Sequence, residues 1–263
     1  MVRLGGSATA SHLAAFQGLE AHFKTRGIDF DWVLYSDYDA LVEAFVSGEI
    51  DLAWNGPLGY VKIKRLLDDS CRVIAMRDVD INCATLFITH PNSAVTTVED
   101  LMGKRFAFGS RGSEEAGLLP YYFLKQSGID PRRDLAACTF YEERQPKSRS
   151  DQRDVIERVQ RGEYDAGAVS RRTLQALTQR GAVAGDSVRV FWSSPGYSHC
   201  CFTARGDMEP EVYRKVAEAF TSVDANDPAG KAVLDAEGCS ALVPGISEGW
   251  EILEKAAAEQ GLV

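Results

Sequence analysis

The chain has 263 residues, 45% of them apolar and 25% charged, with 38 acidic and 29 basic side chains for a formal net charge of −9. That length can bury a substantial core in one or two domains, while the acidic surplus disfavours non-specific attachment to nucleic acid or anionic lipid, which reward clustered Lys and Arg. No segment approaches the run of about 18 apolar residues that crosses a bilayer, so the expected partner is a small polar molecule, with no nucleic acid and no membrane insertion. Met1-Val2-Arg3-Leu4-Gly5-Gly6 has no basic n-region, apolar h-region or cleavage site, so the sequence as it stands predicts a cytoplasmic protein, periplasmic or lipid-anchored only if a signal peptide was removed. Six cysteines (Cys71, Cys83, Cys138, Cys200, Cys201 and Cys239) show no CxxC spacing and read as reduced thiols.

Taken in chain order, short β-rich runs alternate with amphipathic helical stretches, the pattern of an α/β protein. Residues 2–4 form a strand ending at Gly5-Gly6, and a helix is expected over 11–25. A second strand covers 31–35, and a helix over 40–47 places Leu41, Val42 and Phe45 on one face and stops at Gly48. The third strand, 51–54, ends in Asn55-Gly56-Pro57, with a helix over 58–67 and a strand over 72–76 behind it. The rhythm then changes, because the apolar run 83–89 passes directly into Pro91-Asn92-Ser93 as a crossing strand would.

A second half-pattern opens with Thr96 and Glu99 at capping-box spacing. Strands are expected at 104–108, 137–141, 166–169 and 188–192, and helices at 113–127, 154–161 and 171–180. The polar stretch 142–153 reads as a solvated loop or a mobile flap, since charge-rich runs are usually exposed. An extended apolar run at 197–204 provides a return crossing, and helices near 210–223, 228–237 and 248–259 close the chain. The expected organisation is therefore two lobes, 1–82 plus 197–263 and 83–196, with a cleft between them and a mixed sheet flanked by helices in each.

Four passages carry a family resemblance. Ser36-Asp37-Tyr38-Asp39-Ala40-Leu41-Val42-Glu43-Ala44-Phe45 with Gly48 is the first, and Asp51-Leu52-Ala53-Trp54-Asn55-Gly56-Pro57-Leu58-Gly59-Tyr60 is the most specific. The third runs from Leu101-Met102-Gly103-Lys104-Arg105-Phe106-Ala107-Phe108 through Leu118-Leu119-Pro120 to Ser127-Gly128-Ile129-Asp130-Pro131, and the fourth is Gly162-Glu163-Tyr164-Asp165-Ala166-Gly167-Ala168-Val169-Ser170. In this order they resemble the phosphate/phosphite/phosphonate-type substrate-binding proteins of ABC transporters. The resemblance implies the two-lobed type II periplasmic-binding-protein fold, a small ligand and, where a leader has been removed, an ABC permease as partner.

Ligands of open α/β sheets sit beyond the carboxyl ends of the strands, where helix N-termini present backbone N–H groups. The candidates at those turns are Ser7, Thr9, Asn55, Gly56, Ser110, Ser113 and Ser170, and the resemblance adds Tyr38 as a wall and Tyr60 as a hydroxyl donor. One position departs from the family. Where its anion pocket has a Ser-Thr-Ser type run, this chain has Ser113-Glu114-Glu115, and two carboxylates at a helix start would repel a phosphonate dianion unless Arg111 compensates. The expectation is a small polar ligand other than a simple phosphonate, with Glu114 and Glu115 among its contacts; Gln152 falls roughly where the family often has a His.

The second departure is Tyr197-Ser198-His199-Cys200-Cys201-Phe202. It reads either as a buried strand with Cys as a small hydrophobe or, by strand alternation, as His199 and Cys201 facing one side together. The segment resembles faintly the Cys-rich run of thiamine-pyrimidine synthases, enzymes of this fold that use iron and pyridoxal phosphate. It supports an alternative, a cytoplasmic enzyme in which Glu114 or Glu115 serves as acid/base and His199 with Cys201 as nucleophile or as ligands to iron or zinc, joined by Glu115 or His12, so that Glu115 and His199 are its catalytic candidates. The binding reading requires no cofactor.

Overall fold

The computed structural model describes all residues, 1–263, and the chain divides into two compact units, Met1–Asn82 with Tyr197–Glu254 and Val263, and Cys83–Gly196 with Lys255–Leu262. Lys255–Leu262, expected with the rest of 197–263, groups instead with the second unit. The physical reason is local: Glu259 pairs with Lys125, and Gln260 donates to the carbonyl of Leu118 at 3.1 Å. No helix is long and apolar enough to cross a membrane, and none of the six cysteines forms a disulfide.

The first unit is built on a six-stranded sheet in the order β11-β4-β10-β3-β1-β2. Its strands are β1 (Val2–Ser7), β2 (Phe30–Tyr35), β3 (Leu52–Asn55), β4 (Cys71–Arg77), β10 (Cys201–Arg205) and β11 (Leu242–Pro244). β1 pairs in parallel with β2 and β3, whereas β10 lies antiparallel between β3 and β4. The run expected as a return crossing is thus a central strand, and the short β11 was not anticipated.

Helices α1 (Ala10–Lys24), α2 (Tyr38–Ser47), α3 (Pro57–Leu66), α7 (Pro210–Thr221) and α8 (Pro228–Glu237) cover this sheet, and α9 (Glu251–Glu259) runs from this unit's residues into the other's. The spacing of Ala15, Phe16, Leu19 and Phe23 buries one stripe of α1 completely. Gly18 lies on that helix where a methyl group would come within 2.9 Å of the Ala229 carbonyl and 2.7 Å of Val233, so only glycine allows α1 and α8 to approach this closely.

The second unit holds a five-stranded sheet in the order β7-β6-β8-β5-β9. Its strands are β5 (Thr85–Thr89), β6 (Arg105–Ala107), β7 (Ala137–Thr139), β8 (Ala166–Ser170) and β9 (Arg189–Ser193); its helices are α4 (Leu119–Gln126), α5 (Asp151–Gln160) and α6 (Arg171–Gln179). β6 is parallel to both β7 and β8, and β5 is antiparallel to β8 and β9. Both sheets are therefore mixed and flanked by helices, as expected from the alternation of strand and helix signals.

Most of the stretch 142–153 is exposed, as a solvated loop would be, but Arg144 and Gln152 within it are buried. Arg144 is only 3% exposed; it donates to Asp154 at 2.6 Å and to the carbonyls of Thr139 and Phe108 at 2.8 and 2.7 Å. Arg158 joins the same carboxylate at 3.0 Å. One guanidinium of this charge-rich run can be buried because it closes an ion pair and donates to two strand-end carbonyls.

Candidate functional site

In the first unit, parallel pairing brings the carboxyl ends of β1, β2 and β3 to one sheet edge, and each is followed at once by a helix start. Ser7, Thr9, Asn55 and Gly56 gather there with Tyr38, the first residue of α2, which is 50% exposed. Thr9 caps α1 by accepting from the His12 amide, Asp37 caps α2 by accepting from that of Ala40, and Gly56 supplies no capping side chain to α3. Three helix N-termini on one edge favour a negatively charged or strongly polar ligand group.

His12 fixes this edge. Its Nδ1 donates to the Ser7 carbonyl at 2.7 Å, while its Nε2 accepts from the Trp54 indole N–H at 3.0 Å. That pairing selects the neutral tautomer, and burial, opposed by the Ser7 bond, holds the imidazole below its ordinary pKa. Asn55 donates to Thr203 at 2.8 Å and to the Ala53 carbonyl at 3.2 Å, and its buried Oδ1 has no partner. Tyr60, one turn along α3, is buried with its ring 4.4 Å from that of Trp250, and desolvation pushes its phenol up.

The second unit gathers the carboxyl ends of β6, β7 and β8 in the same manner. Its serines, however, are occupied within the unit. The Ser113 hydroxyl accepts from the Ala116 amide at 3.2 Å, and Ser170 accepts from the Thr173 amide at 3.1 Å. The Ser110 amide donates to Asp151 and that of Ser170 to Gln152, at 2.9 and 2.8 Å. Gly117 lets this turn close, since a methyl group there would stand 2.2 Å from the Ser110 carbonyl oxygen.

Glu114 and Glu115 occupy the start of the single π-helical turn Glu114–Leu118 behind Ser113. Glu115 is buried, and its carbonyl accepts the Thr85 hydroxyl at 2.7 Å. Arg111, the cation expected to offset them, pairs with Glu143 and lies over the Phe140 ring at 4.0 Å. Its amide meanwhile donates to Glu142 at 3.1 Å.

The pairing of His199 with Cys201 is corrected by the structure. β10 begins only at Cys201, so strand alternation does not govern 198–200. The thiol beside His199 Nδ1 is that of Cys200, at 3.1 Å. Cys201 is fully buried and contacts Thr203 at 3.5 Å, with its thiol pushed well above the usual range by desolvation. Sequence reasoning also missed Arg77 and Asp80. Their opposite charges three positions apart, just after a strand, were the available signal.

Comparisons with known proteins fit this arrangement. A family model described as "ABC transporter, phosphonate, periplasmic substrate-binding protein" matches residues 9–248. The chain belongs to this phosphonate-type family of ABC transporter substrate-binding proteins. It is 24% identical over 246 residues to the probable phosphite-binding protein PhnD1 of Prochlorococcus marinus, covering 88% of this chain and 79% of that one. A phosphate-import protein, PhnD, of Mycolicibacterium smegmatis is 23% identical over 217 residues, 77% of this chain and 64% of the relative.

Among solved structures, PhnD1 in complex with methylphosphonate superposes with a TM-score of 0.69 at 21% identity, covering 100% and 98% of the two chains. XAC2383 of Xanthomonas citri bound to ATP gives 0.72 at 18% identity, covering 99% and 97%. At these identities the likeness establishes the type II periplasmic-binding-protein fold. Family membership overturns the cytoplasmic address expected from the N-terminal residues: the family is periplasmic, so the protein is assigned to the periplasm or to a lipid anchor facing it. A substrate-binding protein of this kind takes a small ligand and delivers it to an ABC permease.

Proposed function

We propose that this phosphonate-family binding protein takes a small oxyanion that also carries a hydrogen-bond donor or a cationic group, such as an aminoalkylphosphonate, in preference to a plain phosphonate or phosphite. The observation that carries the reading is the engagement of Arg111 by Glu143 and Phe140. Arg111, the cation set by sequence against Glu114 and Glu115, is thus held by other groups. Asn55 Oδ1, buried without a donor, adds a demand of the same sign, because an orphaned acceptor gains about 1–3 kcal/mol when a donor arrives. The three helix N-termini of the first unit favour the oxyanion.

A thermal-shift panel tests this. A ligand that binds only the folded state stabilises it by RT ln(1 + [L]/Kd), so at equal concentration an aminoalkylphosphonate should raise Tm more than methylphosphonate, phosphite or phosphate. A larger shift with any of the three simple anions would refute the preference while leaving the family assignment intact.

A further inference from the structure

We propose that Asp80, His199 and Cys200 form a binding site for a borderline-soft divalent cation, zinc by its chemistry, outside the ligand contacts described above. The three donor atoms lie within 4.8 Å of one another. His199 Nδ1 stands 3.3 Å from Asp80 Oδ1 and 3.1 Å from Cys200 Sγ. Around a tetrahedral zinc with its usual bond lengths, neighbouring oxygen, nitrogen and sulfur ligands stand about 3.3–3.6 Å apart. The two spacings from His199 lie within about half an ångström of these values, and the Asp80 and Cys200 donors lie within 4.8 Å of each other.

The contacts also make better sense with a cation than with protons. Nδ1 faces both a carboxylate oxygen and a thiol sulfur, yet it has one proton or one lone pair to offer. If Nδ1 carries the proton, it serves the carboxylate and leaves the sulfur a divided share. If it carries the lone pair, it accepts from the thiol but meets the Asp80 oxygen lone pair to lone pair. A metal at their common focus satisfies all three: the Cys200 proton leaves to solvent, Nδ1 presents its lone pair with the ring proton on Nε2, and Asp80 gives one oxygen.

The surroundings suit such a site. The end of β4 and the start of β10 hold the residues at one sheet edge. Arg77 donates from Nη2 to Asp80 Oδ1 at 2.9 Å and from Nε to Oδ2, the kind of outer hydrogen bonding that orients a ligating carboxylate. Asp80 and His199 are buried, and Cys200 is partly exposed, which gives the cation an entry path. The mixed oxygen, nitrogen and sulfur donor set selects zinc over calcium or magnesium. With three protein ligands and Arg77 opposing a dication, affinity should fall below that of a closed four-ligand structural site.

The test uses the whole protein stripped with chelator and titrated with zinc alone, followed by native mass spectrometry. One zinc per chain is expected, with Cys200 protected from alkylation and no variant needed. Cobalt in place of zinc should give a thiolate-to-metal charge-transfer absorption that disappears in Cys200→Ser and persists in Cys239→Ser, and Cys200→Ser should weaken zinc at least tenfold. No stoichiometric metal, or a stoichiometric metal that leaves Cys200 as reactive as before and survives Cys200→Ser, would overturn the proposal. No phosphonate enters the experiment, so its failure leaves the ligand reading untouched.

Discussion

The two units offer strand-end edges of similar topology and opposite character. The first presents neutral groups, Ser7, Thr9, His12 and an Asn55 oxygen that nothing in the protein satisfies. The second presents serines already bonded within their own turns, two acids behind Ser113, and amides claimed by Asp151 and Gln152. Similar spacing in sequence thus yields one edge left with unmet hydrogen-bonding demand and one that is internally satisfied and negatively charged.

The internal bonding of the second edge is the first thing to break. Asp154→Ala leaves Arg144 and Arg158 buried without their shared carboxylate, and removing one partner of a buried pair costs about 3–5 kcal/mol. Urea unfolding should show a loss of that size, whereas Thr9→Ala, the loss of one exposed helix cap in the first unit, should remove only about 1 kcal/mol. Equal losses would erase the contrast.

Buried acids also separate the units. Glu237 in the first has its carboxyl pushed up to about 7 by desolvation, against the partial relief of Arg77. A carboxyl raised on folding binds more protons in the folded state, so its contribution falls as pH rises from about 4.5 to 7. At 1.36 kcal/mol per unit the total approaches about 3 kcal/mol. Glu237→Gln should therefore be relatively more stable than wild type at pH 8 than at pH 4, read from paired unfolding curves. A pH-independent difference between the two proteins would contradict the assignment.

Glu115→Gln sharpens the electrostatic half of the comparison. Removing one carboxylate from the second edge should improve binding of methylphosphonate by about tenfold, roughly 1.4 kcal/mol, measured by titration calorimetry. Weaker or unchanged binding would show that the acid does not oppose the anion.

A similarly small effect is expected of His12→Gln, about 1 kcal/mol for the lost hydrogen bonds to Ser7 and Trp54. Because folding lowers the His12 pKa, its contribution is full above the ordinary value near 6.5 and is lost as pH falls below it. The variant should flatten the acid side of the wild-type stability profile. An unchanged acid slope would mean that His12 does not carry it.

What could be read from sequence follows from how local each signal is. Strand-to-helix turns at Ser7, Asn55, Ser110 and Ser170 were legible because hydrophobic period and turn chemistry specify them residue by residue. Family motifs then placed most of the chain, from about Val2 to Phe220. Long-range pairing was not legible: nothing near Arg144 announces Asp154, and nothing in 197–204 says that it enters the first sheet between β3 and β4. Alternation failed at His199-Cys200-Cys201 because regular strand starts only at Cys201, two residues past His199. Nor could the sequence say that Arg111 would turn to Glu143 rather than to Glu114 and Glu115, since all four acids within reach, Glu114, Glu115, Glu142 and Glu143, look alike in the chain.

The most direct test is calorimetric titration of the wild-type protein and of Glu114→Gln/Glu115→Gln with an aminoalkylphosphonate and with methylphosphonate at one pH. Wild type should prefer the amino compound by at least tenfold, and the double variant should lose that preference. Equal or tighter binding of methylphosphonate by the wild-type protein would contradict the account.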